Sequence, residues 1–157
     1  MDAVPQWLVE VYDHQEHFLF DLIALQGRTE QALPLVFPHP GPEPSSLLEG
    51  GTLEFTIVDD PTIARVHGEF LNDPTPTDVI TFHHGEVLIS ADTAARQAEA
   101  HGQSFERELL LYAIHGLLHL HGHEDHTTAG AATMKALQES ILDQILPDSF
   151  SAAAPSA

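Results

Sequence analysis

The chain has 157 residues, with five Lys and Arg against 24 Asp and Glu and no Cys, so its formal net charge is −19 at pH 7 with His neutral. This length predicts about one domain with a sizeable core, and the lack of Cys excludes disulfide scaffolds, thiolate metal sites and Cys nucleophiles. The charge excludes a broad basic surface for sequence-independent nucleic-acid binding, which depends on many phosphate contacts. Twelve His residues outnumber Lys and Arg together and require an explanation.

The hydropathy pattern predicts four strands and five helices in one α+β domain. We expect this domain to cover residues 1–146 and the small, polar residues 147–157 to form a flexible tail. In chain order, the predicted elements are a strand over 7–12, helical residues from about 17 to 36 with a break near Gly27, a loop over 38–51, a strand over 52–58, a helix from Asp59 or Asp60 that stops before Asn72, strands over 77–82 and 85–89, helices over 92–101 and 105–121, and a last helix from Thr127 or Thr128 to 146.

The ends of the chain and its apolar runs carry no targeting signal. Residues 1–7 include no basic side chain, and no run of 18 or more apolar residues occurs. The sequence therefore predicts neither a secretory signal nor a membrane span, and we expect a cytoplasmic protein.

Single residues mark where several of the predicted elements begin and end. Pro61 suits the first turn of its helix, and Ser104 is expected to cap the helix over 105–121 by accepting the amide of Arg107. Gly122 suits a left-handed residue after that helix. Asp78 either lines a site or caps the turn before its strand, and the second role is favoured.

The helix over 105–121 carries a histidine pair that predicts metal binding. His115 and His119 are four residues apart, so both rings project from one face of the helix in adjacent turns and can reach one ion at roughly 2.0–2.1 Å. Nearly every other residue from Leu109 to Leu120 is apolar, which predicts a buried helix. Two buried imidazoles need partners, and a shared metal ion satisfies both.

A third ligand is expected just after the helix. Gly122 allows the backbone to reverse, and His123, Asp125 and His126 are then all chemically suitable. Three protein ligands with one open position define a catalytic zinc that lowers the pKa of its water to about 7.

The remaining positions of the histidine-rich region favour other roles. His121 lies in the last turn, where a cation suits the helix dipole, and His83 and His84 are expected to be solvated in a turn. Gly116 occupies the position at which the H-E-x-x-H signature of metallopeptidases has its glutamate base. Peptide hydrolysis is therefore disfavoured, whereas metal-assisted hydrolysis of another bond stays open.

Three motifs in this order resemble the YbeY family of metal-dependent endoribonucleases. Residues 115–122, HGLLHLHG, resemble its H-G-x-L-H-L-x-G core; residues 76–82, PTDVITF, resemble its P-T-D-V-L-S-F strand; and residues 85–90, GEVLIS, resemble its G-D-I-x-I-S strand. The resemblance covers roughly residues 53–146.

This resemblance implies a fold, a cofactor, an activity and partners. The fold would be a zincin-like α+β domain, in which a small, mainly four-stranded sheet and several helices pack around a central His-bearing helix. One Zn²⁺ per chain would support cleavage of single-stranded RNA in small-subunit (16S) rRNA maturation and ribosome quality control. The partners would be rRNA and the small ribosomal subunit, with basic ribosomal proteins offsetting the acidity of this chain, and no membrane.

Two departures from the family pattern leave alternatives open. The family's third histidine lies ten residues after the first, where this chain has Asp125, and His126 follows one residue late. Either Asp125 completes the site, which needs no change in the backbone path, or a longer loop delivers His126. Leu71 stands about where the family carries an arginine that helps with phosphate. The alternative function is therefore a non-catalytic ribosome-assembly factor with a structural or vestigial metal site.

Overall fold

The computed structural model describes residues 6–146, and the predicted tail over 147–157 lies outside the described residues. Four strands, five α-helices and a short 3₁₀ turn (Leu47–Glu49) occur within the described part. In chain order the strands and α-helices are β1 (Trp7–Asp13), α1 (Leu22–Val36), β2 (Gly51–Val58), α2 (Asp60–Leu71), β3 (Val79–Phe82), β4 (Glu86–Ser90), α3 (Ala91–His101), α4 (Phe105–Leu120) and α5 (Thr128–Ile145).

The four strands form one sheet in the order β1-β2-β4-β3. The strand β2 runs parallel to both β1 and β4, with Phe55 opposite Val87, and β3 is antiparallel to β4. The period-two pattern of β2 explains its central place, since Leu53, Phe55 and Ile57 all point into the core and are at most 1% exposed. The prediction of an α+β fold with a small four-stranded sheet is confirmed.

The main core lies between one face of the sheet and the helices α1, α4 and α5. The helix α4 is central, because it contacts α1, α3 and α5 as well as strands β3 and β4. Ten of its 16 residues are buried, as expected for a helix that is apolar on nearly every side. The other face of the sheet carries a smaller core beneath α2, formed by Val58, Ile63, Ile80 and Leu88.

The first helix differs from its prediction in two ways. It begins at Leu22 rather than near residue 17, because Gln15 holds the preceding segment in a turn by accepting the amides of His17 and Phe18. The predicted break near Gly27 is wrong. A Gly in a helix costs only about 1 kcal/mol relative to Ala, and the buried residues on both sides of Gly27 keep α1 continuous.

Strand β3 begins two residues later than predicted, and Asp78 explains this start. Its Oδ1 accepts the amide of Val79 at 2.8 Å, and its carbonyl accepts the amide of Ser90 at 2.9 Å. Asp78 therefore caps the strand, which is the favoured one of its two expected roles, and it also lines the cavity that includes His115 and Asp125.

Candidate metal centre

The helix α4 places the predicted histidine pair side by side. Its start is fixed by Ser104, whose hydroxyl accepts the amide of Arg107 at 3.1 Å as expected. One turn apart near the other end, the rings of His115 and His119 lie with their centroids 4.7 Å apart, at 83° to one another. Both side chains are mostly buried but reach the surface of a cavity.

Asp125 joins the two histidines through the turn that follows α4. Gly122 adopts the expected left-handed conformation, with φ of 96°, and the chain reverses there. The Oδ2 atom of Asp125 lies 3.4 Å from Nε2 of His115 and 3.5 Å from Nε2 of His119. The ligand atoms of these three residues all lie within 4.8 Å of one another, and no other such group of three or more His, Asp or Glu is found within residues 6–146.

Hydrogen bonds on the far side of each ring orient the two histidines. Nδ1 of His115 lies 2.8 Å from Oε1 of Gln138 on α5, and Nδ1 of His119 lies 3.0 Å from the carbonyl of His123. Because these oxygens accept, each Nδ1 carries the proton and each Nε2 keeps a free lone pair. Such outer partners fix the tautomer of metal-binding histidines.

The chemistry of these donors fits a divalent metal ion. Two Nε2 lone pairs and a carboxylate oxygen face one another with no protein cation between them, an arrangement that is repulsive until a cation is shared. Burial lowers the pKa of His119, and the adjacent His115 lowers it further, so this ring is neutral at pH 7 and free to ligate. Imidazole and carboxylate are ligands that zinc accepts.

The turn after α4 is held by residues 37–46, which we call the strap. Backbone amides of the strap satisfy three carbonyls at the helix end: Gly41 binds His121 at 2.9 Å, Glu43 binds Gly122 at 3.0 Å and Ser46 binds Leu120 at 2.7 Å. A Cβ at either Gly41 or Gly122 would collide with the facing backbone, so the close approach requires glycine. The sequence predicted this segment only as a loop.

His121 and His123 are buried structural residues held by the same strap. Nε2 of His121 donates to the carbonyl of Phe37 at 2.9 Å, and its Nδ1 accepts the Ser45 hydroxyl at 2.7 Å. The ring of His121 is 2% exposed and lies outside the group of His115, His119 and Asp125, which agrees with the expectation of a role other than metal binding. Nε2 of His123 donates to the carbonyl of His39.

His126, the other candidate for the third ligand, lies outside the group of His115, His119 and Asp125. Its Nε2 is 3.5 Å from Oε2 of Glu124, and its side chain is exposed. His83 and His84 are exposed, as expected for solvated turn residues.

Two cavities flank these three residues. One of about 750 Å³ includes His115, Asp125, Glu108 and the cations Arg107 and Lys135 in its lining. The other, of about 500 Å³, includes His119, Asp125 and Leu71. Leu71, which stands about where the family has its arginine, is 57% exposed at the end of α2.

Gly116 faces the sheet rather than either cavity. A Cβ at this position would lie 2.9 Å from Cγ1 and 3.2 Å from Cγ2 of Val87. There is consequently no room for the glutamate base of the H-E-x-x-H pattern, which agrees with the expectation against peptide hydrolysis. The fold and these three donors define an α+β protein with a candidate metal centre on its central helix.

Comparisons with known proteins identify the family. The family model described as endoribonuclease YbeY matches residues 13–146. Endoribonuclease YbeY of Moorella thermoacetica is 38% identical over 109 residues, which are 57% of this chain and 70% of that protein. The Salinibacter ruber protein is 30% identical over 148 residues, with coverage of 73% of this chain and 93% of that one. The chain therefore belongs to the endoribonuclease YbeY family of hydrolases, and the resemblance stated from its motifs is confirmed.

A solved structure supports the fold independently. The solution structure of TM1509 from Thermotoga maritima matches with a TM-score of 0.62, at 20% identity, over 96% of this chain and 99% of that one. A further relative, endoribonuclease YbeY of Myxococcus xanthus, is 36% identical, but only 37% of its length is spanned. No helix among residues 6–146 combines the length and the apolar character that a membrane crossing needs.

Proposed function

We propose that this chain is a zinc-dependent endoribonuclease that cleaves single-stranded RNA in small-subunit (16S) rRNA maturation and ribosome quality control. One observation carries the proposal: His115, His119 and Asp125 direct their ligand atoms at one point between two open cavities. RNA is proposed as the substrate because the relatives of this chain are named endoribonucleases. We place the protein in the cytoplasm, with rRNA and the small ribosomal subunit as partners and basic ribosomal proteins offsetting its charge.

In this proposal His115, His119 and Asp125 hold one Zn²⁺ per chain. When bound, the ion supplies Lewis-acid chemistry, polarising a phosphoryl oxygen and making water more acidic. Gln138 and the His123 carbonyl keep both rings in the tautomer that presents Nε2. The carboxylate of Asp125 neutralises part of the ionic charge, so the ion is less electrophilic than one with three neutral histidine ligands.

The metal content of purified variants tests the ligand set. Wild type and His126→Ala are expected to bind one zinc ion per chain, because His126 pairs with Glu124 outside the three-residue group. His115→Ala and Asp125→Ala each remove one of three donors and are expected to lose most of the bound zinc. Full zinc content in Asp125→Ala together with loss in His126→Ala would assign the third position to His126 instead.

RNA cleavage tests the activity. Zinc-loaded wild type is expected to cleave single-stranded RNA internally, and His115→Ala is expected to be inactive. Equal cleavage by the two proteins would reject the assignment, since a contaminating nuclease would then account for the products.

The second candidate function is a non-catalytic ribosome-assembly factor with a structural or vestigial metal. Two observations favour it: the net charge of −19 and the exposed Leu71 beside His119 and Asp125, where a cation would contact phosphate. Phosphoryl transfer depends on stabilising charge on the phosphate oxygens. Binding to small subunits that survives His119→Ala, combined with no cleavage by wild type, would establish this alternative.

A further inference from the structure

We propose that Phe70, Phe82 and His84, together called the aromatic shelf, bind unpaired nucleobases of RNA beside the candidate metal centre. This inference rests on the proposed function and specifies how this acidic protein holds its substrate.

The aromatic shelf is a contiguous group of rings from two elements. Phe70 lies in the last turn of α2 and is 64% exposed. Its ring meets the ring of Phe82, at the end of β3, edge to face with centroids 5.5 Å apart. The ring of His84 lies 5.7 Å from that of Phe82 at an interplanar angle of 21°, so these two rings are stacked. Phe70 and His84, at the two ends of the group, are both exposed to solvent.

The aromatic shelf connects the metal centre to the outer face of the sheet. Phe70 and Phe82 belong to the lining of the 500 Å³ cavity that also includes His119 and Asp125. The same two residues, with His84, line a second and mainly apolar cavity of about 560 Å³ between α2 and the sheet. A strand whose phosphate lies at the metal centre can thus extend its neighbouring nucleotides across the rings.

The charges around the aromatic shelf favour bases over phosphates as the contacted groups. Neither of these two cavities has a Lys or Arg in its lining within the described part of the chain, whereas Glu43, Glu86 and Glu124 are present. Phosphate contacts of the kind that dominate most nucleic-acid binding are therefore missing here. Stacking on aromatic rings needs no cation, and every base has a π-face to offer. Unpaired bases are required, because bases in a duplex are already stacked on one another.

The exposure of Phe70 allows a test that leaves the fold intact. The full chain is titrated with a fluorescein-labelled single-stranded oligoadenylate, whose integrity is checked after each titration. Phe70→Ala is expected to weaken binding about 5- to 150-fold, the range for the loss of one base–aromatic stack, and His84→Ala is expected to weaken it in the same direction. Ile23→Ala, which truncates a still more exposed apolar residue on α1 (82% against 64% for Phe70), serves as the control and is expected to bind like wild type.

A fluorescence signal separates stacking from an indirect structural effect. Phe70→Trp is expected to retain binding and to be quenched by the oligoadenylate, while wild type, which has only Trp7, provides the blank. Trp7 is not part of the lining of either cavity that the aromatic shelf lines, and its Nε1 donates to the carbonyl of Leu47.

The outcomes distinguish this inference from the proposed function. Three results would each overturn the base-binding role: wild type does not bind oligoadenylate, Phe70→Ala binds it as well as wild type does, or duplex RNA competes equally well. A protein partner would then be the alternative ligand of this surface. If oligoadenylate binding depends on Phe70 but no RNA is cleaved, the base-binding role of the aromatic shelf is supported and the proposed endoribonuclease activity is rejected. In a cleaving enzyme, Phe70→Ala is expected to raise KM and leave kcat nearly unchanged.

Discussion

Replacing Gly116 with Ala tests how closely α4 packs on the sheet at the level of the two histidines. In a helix interior, Ala is favoured over Gly by about 1 kcal/mol. The added Cβ would lie 2.9 Å from Cγ1 and 3.2 Å from Cγ2 of Val87, which is fully buried. Val87 is β-branched and its side chain is stiff, so the strain of overpacking costs about 1–3 kcal/mol. We expect a net loss of about 0–2 kcal/mol in the free energy of unfolding.

Equilibrium urea unfolding measures this loss, with unchanged m values as the sign that the denatured state is not altered. Gly27→Ala is the matched control: nothing lies within 4 Å of its added Cβ, so the helix preference alone should stabilise it by about 0.5–1 kcal/mol. Val87→Ala makes room for the new methyl group, and the two substitutions should couple favourably by about 0.5–3 kcal/mol. If Gly116→Ala is stabilised as much as Gly27→Ala, the packing argument is refuted.

Three further predictions concern the surroundings of the centre. Gln138→Ala is expected to weaken zinc affinity about 10–100-fold in competition with a chelator, whereas Gln144→Ala on the exposed face of the same helix leaves it unchanged. His121→Ala removes the partner of the partly buried Phe37 carbonyl, while the Ser45 hydroxyl keeps the Leu47 amide, and it is expected to cost about 1–3 kcal/mol in urea unfolding; a smaller loss would mean that water replaces the ring. Burial raises the pKa of Glu108 above its ordinary value of 4.5, so its folded form resists ionisation and stability falls as the pH rises above that value. Glu108→Gln should therefore have a higher Tm than wild type at pH 7, an advantage that disappears below pH 4.5; a pH-independent difference would contradict this.

The elements with strong side-chain patterns were predictable from the sequence. The strand β2 has strict alternation, and α4 has an apolar surface, a Ser cap and a terminal glycine, so their limits came out within one or two residues. The relative placement of His115 and His119 also follows from sequence, because helix geometry alone sets a four-residue spacing.

The tertiary contacts that complete the candidate metal centre produce no comparable pattern in the sequence. The third position depends on the path of the turn after Gly122, which decides whether Asp125 or His126 faces the pair, and residue types alone left both open. The strap binds this turn through backbone amides, and a backbone hydrogen bond does not select a side chain. The glycines at 41 and 122 indicate that another backbone approaches closely, but the sequence does not show that these two positions contact one another. The partner of His115, Gln138, lies 23 residues away on another helix.

The attachment of the strap has a consequence for how the centre assembles. All three proposed ligands come from a single stretch of eleven positions, 115–125, yet the hydrogen bonds that align this stretch span 76 to 84 residues along the chain. A peptide of that stretch, or a fragment beginning after residue 46, would contain every donor atom and lack the part that holds them in register. High-affinity metal binding should accordingly emerge late in folding, after the N-terminal third has closed onto the far end of α4, and it would not be transferred by grafting the histidine-rich segment onto another helix.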